Sequence, residues 1–75
     1  MTPHEAEAHM VRARVTAEGR KQHAYDLAAK LPMPEHERAL RDAEKQFCLD
    51  LARAAEETNG LVDSRYYYDS AQWHE

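Results

Sequence analysis

The stretch LPMPEHE, residues 31–37, constrains this chain more than any other. Two prolines bracket Met33. Each lacks a backbone N–H and disfavours helical geometry in the residue before it, so Leu31 and Met33 are pushed towards extended backbone. Any helix arriving from the N-terminal side must stop here. Pro34 followed by Glu35 and Glu37 makes a favourable first turn for a new helix, with acidic side chains near its positive end. A short, stiff connection of this kind joins antiparallel neighbours. The expected fold class is therefore all-α: an antiparallel helical hairpin, about residues 3–31 and 34–58, joined by the Pro-Met-Pro turn at 32–34.

The two arms carry matching patterns. The first opens on TPHE, in which Thr2 is placed to cap, Pro3 suits the first helical position and Glu5 stands where a capping box places its carboxylate. Ala6, Met10, Ala13, Ala17, Ala24, Leu27, Ala28 and Leu31 follow at spacings of three and four, which puts them on one face. Gly19 and Arg20 interrupt that stripe. With no proline or turn cluster beside them, a continuous helix of about 43 Å is expected ahead of a break near residues 18–21. The second arm aligns Leu40, Ala43, Phe47, Leu51, Ala54 and Thr58, with Cys48, Ala52 and Ala55 beside them. It ends at TNGLV, where Asn59 or Gly60 takes the left-handed conformation and Leu61 folds back on the last turn. Arg38, Arg41, Asp42, Lys45, Arg53 and Glu56 form its solvated face.

At 75 residues the chain forms one domain, residues 1–75, near the size at which a single core needs extra support. Cys48 is the only cysteine, so no disulfide within the chain supplies that support. Its helical neighbours point to a half-buried, inert thiol. A hairpin buries one stripe from each arm, and alanine-rich stripes gain little at about 0.8 kcal/mol per buried CH₂. The expectation is a homodimer of hairpins forming a four-helix bundle. Its core and dimer contacts are Met10, Ala13, Ala17, Leu27, Leu31, Leu40, Phe47 and Leu51, with Val11, Val15 and Tyr25 as a secondary stripe. The competing arrangement is a monomer capped by its own tail.

Charge and composition exclude several functions. Ten basic against fourteen acidic residues leave a net charge of −4, without the basic stripe that a nucleic-acid binder uses to displace counterions. No apolar run approaches the roughly 20 residues of a membrane span, and the N-terminal stretch lacks the basic-then-apolar pattern of a secretory signal. A soluble, cytoplasmic protein is expected. Of the five histidines, His4 and His9 are five apart and do not share a helical face. Neither a Glu-x-x-His pair nor a zinc-finger framework is present, so no metal and no cofactor is expected. The chain also lacks a Ser/His/Asp order, a glycine-rich phosphate loop and paired carboxylates on an apolar face, and an enzyme is not expected.

What remains is RYYYDSAQW, residues 65–73. Only Tyr25 and Phe47 are aromatic before it; Tyr66, Tyr67, Tyr68 and Trp73 then fall within eight positions. The segment 61–75 reads as a short helix capped by Asp63 or Ser64, or as an arm, with Tyr66, Tyr67, Ser70 and Trp73 or His74 loosely sharing a side. Tyrosine, tryptophan and arginine are enriched at interface hot spots, which makes Arg65, Tyr66, Tyr67, Tyr68 and Trp73 the candidate partner-binding residues. Three consecutive tyrosines cannot all face one way, so at least one packs inward.

In size, acidity and helical-hairpin plan, and in its lack of catalytic motifs, the chain resembles the small accessory proteins encoded by bacteriophages and prophages. That resemblance implies an inhibitor or modulator that binds a host protein in the host cytoplasm. The alternatives are a structural or assembly subunit and, more remotely, a small metal-binding or catalytic bundle.

Overall fold

The computed structural model describes residues 1–73, so His74 lies outside the described residues. It is all-helical, with α1 (Pro3–Ala28), α2 (Glu35–Glu56) and α3 (Ser64–Gln72), and no strand among the described residues. The Thr2 hydroxyl accepts from the Glu5 N–H at 3.1 Å while the Glu5 carboxylate accepts from the Thr2 N–H at 3.3 Å, closing the capping box. The helix then runs unbroken through Gly19.

Both long helices end sooner than their apolar spacing suggests. Lys30 and Leu31 bond back to Leu27 and Ala28, a tightening into three-residue turns that closes α1 at Ala28, before the chain reaches Pro32. Pro34 caps α2, follows a cis peptide bond from Met33, and leaves Glu35 as the first helical residue. The His36 ring donates from Nδ1 to the Ala28 carbonyl at 2.7 Å, tying the start of α2 to the end of α1. Helix α2 closes at Glu56, where Thr58 and Asn59 make the same three-residue bonds, and both Asn59 (φ 59°) and Gly60 (φ 89°) are left-handed. Asp63 then caps α3 by accepting from the Arg65 N–H at 2.9 Å.

The pairs across the first seam run in opposite senses along the two arms. His9 meets Glu57 at 3.2 Å, Arg20 meets Asp50 at 3.7 Å, and both Lys21 and Tyr25 meet Glu44. Helices α1 and α2 are thus antiparallel. Arg20, the residue that interrupts the apolar stripe, is absorbed as a cross-seam ion pair.

Helix α2 lies in the middle. Both α1 and α3 pack against it, and they do not pack against each other. The Cα trace measures 46 × 21 × 10 Å. Two stacked helical layers need about 8–10 Å between axes in addition to the roughly 4.6 Å width of a Cα cylinder, so a 10 Å thickness is a single layer. Among the described residues the buried apolar set is Ala6, Ala17, Ala28, Ala43, Leu51, Ala52, Ala54, Ala55 and Ala71, in which leucine occurs once. Small side chains hold the helices close and leave little room for large ones.

Of the residues expected in the core or dimer contact, Ala17 and Leu51 are buried, while Met10, Ala13, Leu40 and Phe47 are half-buried. Leu27 and Leu31 differ: they stand 51% and 44% exposed. The packed stripe of a helix turning about 100° per residue passes through Ala24 and Ala28, which rotates Leu27 off the seam, and Leu31 lies beyond the end of α1. No described helix is long and apolar enough to cross a membrane.

Candidate interaction surface

A single layer leaves two broad faces open, and they differ chemically. On α2, Ala43, Asp50 and Glu57 lie towards α1, whereas Ala52 and Glu56 lie on the opposite side, towards α3. At about 100° per residue, one of the two remaining faces of α2 carries Leu40, Phe47 and Leu51, and the other carries Glu35, Arg38, Asp42 and Arg53. The layer is amphipathic. Along its apolar face the Lys21 ammonium sits 4.1 Å from the centre of the Phe47 ring, and the Tyr25 hydroxyl donates to the Glu44 carboxylate.

Where α1 and the α2–α3 turn face each other, the apolar face deepens into a groove of about 520 Å³. Met10 and Val11 form one wall and Leu61, Val62 and Tyr67 the other. Val11 is 58% exposed and Leu61 47% exposed, a large apolar area for a chain of this size to leave open. Glu7 and Arg14 border the groove from α1, and neither has a hydrogen-bond or ion-pair partner among the described residues. The apolar spacing singles out neither. Their signal in the sequence is two opposite charges seven residues apart flanking the Met10–Val11 pair.

The second feature is the aromatic helix, whose placement of the expected partner-binding residues is mixed. Tyr67 and Tyr68 are half-buried and turned towards the layer: Tyr67 lines the groove and the Tyr68 hydroxyl donates to the Glu56 carboxylate at 2.5 Å. That bond to a carboxylate, together with burial, raises the Tyr68 phenol above its ordinary pKa. Tyr66 is 69% and Trp73 87% exposed, and Arg65 is exposed with them. The Tyr66 ring stands edge-on to Tyr67, with centroids 5.2 Å apart. Arg65 reaches back to its own cap, Asp63, at 3.3 Å, and the Arg65 hydrogen bonds hold the Asp63 carboxyl below the usual range. The outer edge of the layer therefore presents two aromatic rings beside a guanidinium.

No group of three or more His, Cys, Asp or Glu side chains is placed to hold a metal among the described residues. His9 and His36 are engaged with Glu57 and the Ala28 carbonyl in separate parts of the hairpin. Burial first, and then the neighbouring Glu44 carboxylate, push the Cys48 thiol up, against a smaller opposing effect of Lys21. Compared with protein-family models, characterised proteins and solved structures, the chain matches none.

Proposed function

We propose that this chain is a non-enzymatic protein-binding module that works as a homodimer and antagonises or modulates a larger protein by occupying its surface. The mode is that of the small phage- and prophage-encoded accessory proteins it resembles. The observation that carries the reading is the outward placement of Tyr66, Trp73 and Arg65 on the edge of a layer whose helices are held together by alanine. Such rings contribute nothing to the hairpin. Each offers roughly 150–250 Å² of rigid apolar area to a partner, beside a planar cation suited to a carboxylate.

The test compares captures from a host lysate by the parent chain and by a Tyr66→Ala/Trp73→Ala variant. A protein retained by the parent and lost by the variant, with helical content equal in the two, is the expected outcome. A variant that holds every partner as tightly as the parent refutes the edge as the binding surface.

A further inference from the structure

We infer that the groove beside Met10 and Val11 is the seat of a second copy of this chain, whose α1 lies across it antiparallel to the first. This rests on the dimeric part of the reading above and names its contact. It places that contact on the apolar face of the layer, away from the aromatic edge.

Two observations converge on a second copy. The first is charge. Glu7, Met10, Val11 and Arg14 follow at intervals of three, one and three, so they share one side of α1, and all four line the groove. Glu7 and Arg14 are two helical turns apart, about 10.5 Å along the axis. An antiparallel copy centred between Met10 and Val11 sets Glu7 opposite Arg14 of the second copy, and Arg14 opposite its Glu7. Each charge, unpaired among the described residues, finds one partner, and the two-fold axis makes the pair twice. A parallel copy would oppose like charges instead, so the pattern selects orientation as well as partner.

The second observation is symmetry. A two-fold contact demands that one patch complement itself, which an acid and a base equidistant from an apolar centre satisfy. The groove supplies that apolar centre, where Met10 and Val11 of each copy meet the Leu61 and Tyr67 of the other.

Sedimentation of the purified chain, with no other protein present, tests this. The parent is expected at twice its 8.7 kDa chain mass, with a dimer that weakens as salt is added. Glu7→Arg and Arg14→Glu each place like charges at both ends of the contact, and each is expected to raise the dissociation constant at least about tenfold. The double variant Glu7→Arg/Arg14→Glu restores the complementarity in reverse and should return to the parent value. Both positions are exposed, so circular dichroism should show the fold intact throughout. A monomeric parent at every concentration overturns both this inference and the dimeric part of the reading above. A dimer indifferent to the single reversals, or not rescued by the double, overturns this contact alone. Loss of a heterologous partner on changing Tyr66 and Trp73 is read separately, because neither residue lines the groove.

Discussion

Thr58 is fully buried, and its hydroxyl makes two bonds at the point where α2 gives way to the turn. It donates to the Ala55 carbonyl at 2.6 Å and accepts from the Val62 N–H at 3.0 Å. Thr58→Val keeps the shape and removes both. The Ala55 carbonyl retains the Thr58 backbone N–H at 3.1 Å, so its loss is small. The Val62 N–H is left in a half-buried turn without its partner, at a cost of about 1–3 kcal/mol. The added methyl returns at most about 0.8 kcal/mol. The net destabilisation should be about 1–2 kcal/mol, a fall in Tm of roughly 5–15 °C for a domain of this size. Thr58→Ser keeps the hydroxyl and both bonds and loses only the buried methyl, at about 0.8 kcal/mol. Urea and thermal unfolding at one fixed protein concentration measure this, so that parent and variants are compared at the same oligomeric equilibrium. A valine variant as stable as the parent would refute the hydroxyl's role.

Two further substitutions probe other links between sequence and fold. Gly19 is exposed in the middle of α1, with nothing within 4 Å of an added Cβ, so Gly19→Ala should raise stability by about 1 kcal/mol; an unchanged or lower urea midpoint would contradict a continuous, regular helix there. Because the phenol of Tyr68 titrates above its unfolded value, its contribution is fully present below about pH 10 and fades as pH rises through the folded value. Unfolding of the parent should therefore become easier above about pH 10 by a margin that Tyr68→Phe abolishes, and identical alkaline profiles for the two would sink that assignment.

Much of the hairpin was legible because its signals are local. The Thr2–Glu5 capping box, the proline pair around Met33 and the Asn59–Gly60 terminus each depend on neighbours within four residues, and each appears in the structure. The fate of Leu27 and Leu31 was less legible, since spacings of three and four drift around the helix and do not say which member of the pair Leu27 and Ala28 meets the neighbour. The aromatic helix posed a different difficulty. Periodicity separates Tyr66 from Tyr68, but which of them faces inward depends on where the turn delivers α3. The groove depends on that same delivery, because its walls come from segments some 50 residues apart in the sequence.

The turn accounts for why the layer stays one helix thick. In a self-sufficient three-helix bundle α3 would lie in the furrow between α1 and α2 and cover their apolar face with its tyrosines. Here the left-handed pair Asn59–Gly60, the Thr58 clasp on Val62 and the Asp63 cap start α3 on the far side of α2. The bond from Tyr68 to Glu56 holds it on the side of α2 away from α1. Alanine reinforces the outcome, since Ala52, Ala55 and Ala71 are all buried and let the third helix pack close. The large apolar groups are thereby displaced outward, Val11 and Leu61 to the groove and Tyr66 and Trp73 to the edge. The buried Thr58 hydroxyl that ties the turn to Val62 thus also keeps the groove uncovered, so the residues that shape the fold are the ones that leave its large apolar side chains exposed.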